Sequence, residues 1–441
     1  MHILNDRLVL RFRAARSHAV SSGWGVAEYL AYPLMMFAVT PLFLHFLGTQ
    51  QYGQWMLLLT FTGFGGLAGM GMGPAATKDV AAHRGRNDAA GALAAARACV
   101  SVTLVSSITL SLLMIFAGLT LGPDLLVRVG EPNEVRAIIC FAAVLIALEQ
   151  LDAVFAGSLR GLERFGLSAR IEVTAKFATV VASVLIAWAT RDLITIYWCV
   201  TLLTVIRAMA KAWWASKLLG GALIPSLDRA RAQDAFAFGK WTWAQSLGGA
   251  MFATADRLLV GALLGADALA RYSVCVQLAQ QIQTIPAAGA QFLFPAVSRR
   301  RETGEDFRQL VIRASLIIGS VGILIATPIA LFSYFILNLW VGIAIATTTW
   351  PILSLLAIGY TILALNVGPH FALLGAGKVQ FVAIVNIVAG VFAVIFCIVG
   401  ILYLGLLGAA IARLCYAIVT LWLVIRIKQE LFLHIDLKDK K

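Results

Sequence analysis

The sequence predicts an all-α polytopic membrane protein: about twelve transmembrane helices in two six-helix bundles, with both termini cytoplasmic. Three observations predict it: an apolar composition, charge-free runs longer than one bilayer crossing, and a chain that resembles itself near half its length. Of 441 residues, 60% are hydrophobic and only 13% charged, with a mean hydropathy of +0.87; a soluble domain carries about 25% charged residues. Lipid offers backbone groups no partner, which excludes an open sheet, and long unbroken apolar runs exclude a β-barrel with its alternating strands.

Taken in chain order, residues Tyr29 to Thr77 hold no Asp, Glu, Lys or Arg. One crossing needs roughly 20 residues, so this run fits two helices, 22–47 and 54–74, joined by a turn at "GTQQYG" (Gly48 to Gly53). The Gly-rich stretch Gly63 to Gly73 lies in the second, where small residues let helices pack closely. Four further helices follow at 92–121, 137–157, 171–190 and 194–216. A basic stretch, Ser216 to Lys240, separates them from 241–265 and 272–297. The charge-free run between Arg313 and Lys378 again fits two spans, 310–334 and 349–373, divided near "NLWVGIAIATTTW" (Asn338 to Trp350), whose Trp, Asn and Thr suit a membrane interface. Helices at 381–404 and 406–426 complete the set.

The formal charge of +13 is a matter of placement. If both termini share one side, the tails and even-numbered connections carry most of the Lys and Arg, while the opposite side carries only Arg128, Arg136, Arg191 and Arg271. That asymmetry puts both termini in the cytoplasm and leaves no need for a nucleic-acid partner. "RRRETGED" (Arg299 to Asp306) is a solvated cytoplasmic loop on the same rule. The charged N-terminal stretch lacks a small-residue cleavage site and is expected to be a cytoplasmic lead-in rather than a signal peptide. The six cysteines lie singly in predicted helices and are expected to pack rather than to bridge or bind metal.

Parallel repeats are common in transporters. Here "FAGSLRGLERF" from Phe155 and "FALLGAGKVQF" from Phe371 share Phe-Ala, Gly161 with Gly377 and Phe165 with Phe381, at an offset of 216. "FLGTQQYGQW" and "LLGADALARY" pair Gly48 with Gly265 and Trp55 with Tyr272 at 217. An even number of helices per half makes the repeats parallel. The expected units are an N-terminal bundle, 1–215, a cytoplasmic linker, 216–240, and a C-terminal bundle with its tail, 241–441.

No phosphate-binding loop of the G-x-x-x-x-G-K-[ST] type occurs, nor a His-Glu-x-x-His zinc motif, and the longest predicted periplasmic loop, Gly122 to Arg136, is short. ATP drive, metal catalysis and an enzyme with a periplasmic active site are therefore not expected. What remains is charge inside the membrane, which costs about 2.5–3.5 kcal/mol per group at mid-depth and so needs a partner or a wet cavity. Glu28, Arg97, Glu149, Asp152, Glu172, Lys176, Arg207, Lys211, Asp256, Arg257 and Arg413 are such groups. Glu172 with Lys176, and Arg207 with Lys211, are i,i+4 pairs sharing a helix face. Glu149, Asp152, Glu172 and Lys176 lie within about two turns of the cytoplasmic helix ends, where a Lys can snorkel, and are candidates for a cytoplasmic gate. Asp256 and Arg257 differ by about 100° around their helix and cannot bond face to face. Each needs another partner: a water-filled cavity between the halves, or, for Asp256, a tie to an Arg such as Arg413.

"DRLLVGALLGADALARYSVCVQLAQ" (Asp256 to Gln280) resembles the seventh-to-eighth helix signature of Wzx-type polysaccharide flippases, and "LRGLERF" (Leu159 to Phe165), "LLGAGKVQFVAIVNIVAG" (Leu373 to Gly390) and "YLGLLGAAIAR" (Tyr403 to Arg413) are similar to that family's recurring segments. The resemblance spans nearly the whole chain in order. It departs at "GMGPAATKDVAAHRGRND", where only the basic position, Lys78, is recognisable. It implies a member of the multidrug/oligosaccharidyl-lipid/polysaccharide (MOP) exporter superfamily with a MATE-like fold, multi-pass in the bacterial inner membrane. It also implies movement of undecaprenyl-pyrophosphate-linked oligosaccharide to the periplasmic leaflet by alternating access, with H⁺ or Na⁺ coupling and no bound cofactor. A polymerase and other polysaccharide-assembly proteins are the implied partners. A pyrophosphate needs cations, and Arg fits phosphate oxygens bidentately. Arg207, Lys211, Arg257 and Arg413 are the candidates, with Asp256 and Glu28 as candidate ion-coupling sites. The alternatives are a cation-coupled multidrug or metabolite antiporter, which favours an excess of buried acids, and a membrane scaffold, which has no use for charges at depth.

Overall fold

The computed structural model describes residues 2–63, 71–226, 228, 233, 236, 254–303 and 305–429, with side chains from residue 31 onward, residues 295 and 302 excepted. The described residues are helical, with no strand among them. Helix α1 (2–47) meets α2 (49–63) at Gly48, whose φ of 74° and ψ of 175° break an otherwise continuous helix, His2–Gly63. The expected six-residue turn is thus a single glycine, because one residue in a conformation that favours Gly redirects the chain while "TQQYG" keeps its helical bonds. Then follow α3 (Met72–Gly85), α4 (Ala89–Thr120), the single turn α5 (Gly122–Leu125), α6 (Pro132–Gly161), α7 (Phe165–Thr190) and α8 (Leu193–Leu219). The segment expected to leave the membrane after residue 74 is helical to Gly85.

In the second half, α9 (254–264) is followed by α10 (Ala266–Ala279), α11 (Gln281–Ala290) and α12 (Leu293–Glu302). These three pieces replace the single expected helix 272–297. Next come α13 (Arg308–Leu331), a short α14 (Ser333–Val341), α15 (Ile343–Gly375), α16 (Val379–Leu404) and α17 (Leu406–Thr420). Among the described residues, nine helices are long and apolar enough to cross a membrane. The expected spans outside that set are 54–74, interrupted by residues beyond the description; 241–265, described only from residue 254; and 272–297, divided as above.

The internal repeat has a geometric counterpart. Gly48 and Gly265 share a conformation, φ 74° and ψ 175° against φ 92° and ψ 179°. Further on, the true register differs from the one the sequence suggested. α6 ends at Gly161 and α15 at Gly375, and α7 and α16 each span 26 residues after a basic N-cap, Arg164 or Lys378. The turn bonds also match: Arg164 N to Leu159 O and Lys378 N to Leu373 O, both 2.9 Å. The offset is therefore 214, and the left-handed position held by Gly377 (φ 74°) is held in the first half by Glu163 (φ 59°), not Gly161. The shared Phe-Ala and Gly residues of the two segments thus lie two residues out of the structural register.

The helix contacts fall into two sets. α4, α6, α7 and α8 pack around one another with α3, while α15 packs against α10, α13 and α17. The main contacts between the sets run through α1 and α2 against α10. There a Cβ on Gly53 would lie 1.8 Å from the Ala266 carbonyl oxygen, Thr40 Oγ1 donates to Gln277 Oε1 at 2.9 Å, and Trp340 Nε1 donates to the Phe37 carbonyl at 3.0 Å. Only glycine permits the first approach. Within the first half, α3 and α6 approach equally closely: a Cβ on Gly157 would stand 2.2 Å from the Gly73 carbonyl oxygen.

Candidate functional site

Three helices of the first half deliver six charges to one place. Spacing of three or four residues aligns each set on one helix face: Glu149 and Asp152 on α6, Glu172 and Lys176 on α7, Arg207 and Lys211 on α8. Lys211 Nζ donates to Asp152 Oδ2 at 2.7 Å and also to Glu172 Oε2. Arg207 approaches Asp152 at 3.3 Å, Glu172 at 3.4 Å and Glu149 at 3.7 Å, and Lys176 reaches Glu172 at 2.8 Å. Lys211 is 1% exposed and Asp152 5%. Three acids and three bases balance, as the cost of burying ions requires. These groups line a cavity of about 720 Å³, whose wall also carries Thr77, Lys78 and Arg160. The gate candidates and two of the cation candidates are thus one network, with Arg207 and Lys211 held by carboxylates.

The second half holds a smaller cluster. Asp256 and Arg257 diverge as helix geometry demands. Asp256 Oδ2 pairs with Arg413 of α17 at 2.9 Å and accepts from the Tyr272 hydroxyl at 2.6 Å, and the Arg413 guanidinium lies 5.1 Å from the centre of the Tyr360 ring. Arg413 is 4% exposed and lines a separate pocket of about 20 Å³ with Asp256 and Tyr416, away from the large cavity. Arg257 Nη2 donates to the neutral Gln280 Oε1 at 3.3 Å, and its Nε has no protein partner. Among the described residues no carboxylate pairs with the Arg257 side chain, whereas Arg207, Lys211 and Arg413 each have one. Lys176 Nζ also lies 5.4 Å from the centre of the ring of Tyr32 on α1. The side chain of Glu28 lies outside the described residues. Arg97 donates to the Ala222 carbonyl at 2.9 Å in an exposed position and belongs to neither cluster.

A further cavity, of about 210 Å³, is lined by Gln283, Asn366, His370, Asn386, Tyr416 and Thr420 among others. Asn366 is 4% exposed; its Nδ2 donates to Thr420 Oγ1 at 2.7 Å and its Oδ1 has no partner. These residues were missed by a search for buried charge. The signal that finds them is the 214 offset, which sets Asn366 on Asp152 and Asn386 on Glu172.

Comparison with known proteins places this architecture. A Shigella flexneri protein assigned as an O-antigen transporter is 23% identical over 88% of this chain and 91% of its own length. The uncharacterised membrane protein EpsK of Bacillus subtilis (strain 168) is 26% identical over 76% of this chain and 67% of its own. Among solved structures, the inward-facing form of a multidrug resistance MATE family transporter of the MOP superfamily superposes with a TM-score of 0.68, at 17% identity, covering 92% of this chain and 98% of that one. An outward-facing MATE structure gives 0.62 at 16% identity, over 93% and 96%. The fold is therefore MATE-like, all-α and multi-pass. Residues 22–301 match the polysaccharide biosynthesis protein family, and the chain belongs to that family.

Proposed function

We propose that the protein moves an undecaprenyl-pyrophosphate-linked oligosaccharide from the cytoplasmic to the periplasmic leaflet by alternating access, for O-antigen, capsule or exopolysaccharide assembly. A polymerase and other assembly proteins are the partners in that role. The two halves, 1–215 and 241–441 joined by the linker 216–240, would rock about the seam between α1, α2 and α10. The observation that carries the reading is the polarity of the large cavity. Inside an otherwise apolar bundle, Arg207 and Lys211 are held by carboxylates and Lys78 and Arg160 share the wall, while Arg257, which is not part of that wall, rests on a neutral amide. Arg257 is the first cation a pyrophosphate can claim. Its oxygens then compete with Asp152 and Glu172 for Arg207 and Lys211. Each displaced carboxylate is left buried and unpaired, which is costly unless a proton or Na⁺ neutralises it. That exchange couples anion entry to cation uptake at the first-half acids.

The test is binding of undecaprenyl pyrophosphate to the purified protein in nanodiscs. Arg257→Ala and Arg207→Ala should each weaken it by about tenfold or more, and Arg257→Lys less, because charge matters first and the planar fork second. Unchanged affinity in both Ala variants would contradict the assignment.

A further inference from the structure

The register set by the matching turns superposes the second cavity on the first. At an offset of 214, Asp152 falls on Asn366, Ala156 on His370 and Glu172 on Asn386; beyond the N-caps Asp192 and Gly405 the offset becomes 213, and Arg207 falls on Thr420. The first member of every pair lines the large cavity and the second the small one. The contacts correspond too: the bond from Asn366 to Thr420, 2.7 Å, stands where Arg207 meets Asp152 at 3.3 Å. Each ionised group has a neutral counterpart, carboxamide for carboxylate and hydroxyl for guanidinium, and Leu363 stands for Glu149.

We infer that the small cavity is a binding site for an uncharged polyhydroxylated ligand, a sugar ring, so that the halves divide one substrate: pyrophosphate to the charged half, glycan to its neutral twin. The inference rests on the function proposed above. An anion would find no cation on this wall and a cation no carboxylate, and a dry apolar ligand would leave the buried Asn366 oxygen without a donor, which costs the desolvation of that group. Sugar hydroxyls donate and accept, as the two carboxamides, the imidazole and the hydroxyls here require. Phe371 and Tyr416 supply flat apolar surface for the C–H face of a ring. The volume equals the share of about seven waters, which one ring displaces.

The test titrates the full-length protein in nanodiscs with three probes. These are undecaprenyl pyrophosphate, the undecaprenyl-pyrophosphate-linked repeat extracted from the same bacterium, and that oligosaccharide freed by mild acid. Asn366→Leu and Asn386→Leu should weaken the lipid-linked glycan by about tenfold, the value of one hydrogen-bonded contact, and leave the sugarless lipid within about twofold. Asn386→Leu keeps the Asn366–Thr420 bond and carries the test if Asn366→Leu does not fold. Equal weakening on the sugarless lipid, or none on the lipid-linked glycan, overturns the inference. Weakening on the freed oligosaccharide alone assigns the cavity to a soluble sugar and overturns the division of one substrate. Wild type that binds the sugarless lipid but neither glycan also overturns it while sparing the function. Indifference of the sugarless lipid to Arg257→Ala counts against the function alone.

Discussion

Asp256 and Arg257 are neighbours in sequence with unrelated partners, because successive residues point about 100° apart on a helix. Asp256 is tied to Arg413 and Tyr272, and Arg257 to Gln280. Removing one member of a buried pair strands the other at a cost of about 3–5 kcal/mol, whereas replacing both by neutral groups can cost little. Asp256→Asn should therefore lower the melting temperature in detergent, and adding Arg413→Met should restore much of it, a double-mutant cycle with positive coupling. Arg413 occupies the place a coupling cation would take, so the double variant should also recover transport. A stable double variant that does not transport would assign ion coupling to Asp256 instead. Helix spacing made the faces legible in sequence: Glu172 with Lys176, Arg207 with Lys211. What spacing cannot show is which carboxylates come from another helix to meet them, and Asp152 with Lys211 is a contact 59 residues apart. Asn366 and Asn386 were illegible for a different reason: a neutral amide in an apolar helix carries no Born penalty large enough to demand explanation.

Among the elements, the glycine junctions show how little sequence is needed to turn a membrane helix. Gly48, Gly265 and Gly342 share positive φ with ψ near the extended value, a region that costs a side chain about 1–3 kcal/mol. Their surroundings differ. A Cβ on Gly48 would meet nothing within 4 Å, while one on Gly265 would lie 2.5 Å from the Arg128 carbonyl oxygen. Gly265→Ala should thus destabilise the protein more than Gly48→Ala, in parallel thermal melts of the two variants; equal losses would show that backbone strain alone matters at both. The pairing of these two glycines was legible because an identical backbone requirement selected the same residue twice. The later pairing was misread because the left-handed position is Gly377 in one half and Glu163 in the other, so identity and geometry part company.

For the whole molecule, the apolar composition and charge-free runs fixed an all-helical membrane protein, since lipid leaves few other ways to satisfy a backbone. The division of 272–297 into three helices was only partly legible: Pro286 and Pro295 mark a broken span, the second falling in the first turn of α12, but neither marks the break at Gln280. The positive-inside distribution predicts that Arg86 and Asn133 lie on opposite sides, Arg86 in the cytoplasm. Single cysteines at these exposed positions in a Cys-free background should label so that an impermeant periplasmic reagent reaches only residue 133; labelling of residue 86 alone would invert the topology. The central claim, that the charged cavity passes a lipid-linked anion across the bilayer, is tested most directly in proteoliposomes. They would carry undecaprenyl-pyrophosphate-linked oligosaccharide with a fluorescent glycan, and an impermeant quencher would be added outside. Wild-type protein should expose the inner-leaflet pool to quenching, and Arg257→Ala with Arg207→Ala should leave it protected. An inner pool that stays protected with wild type, or that is quenched as fast with the double Ala variant, would contradict the account.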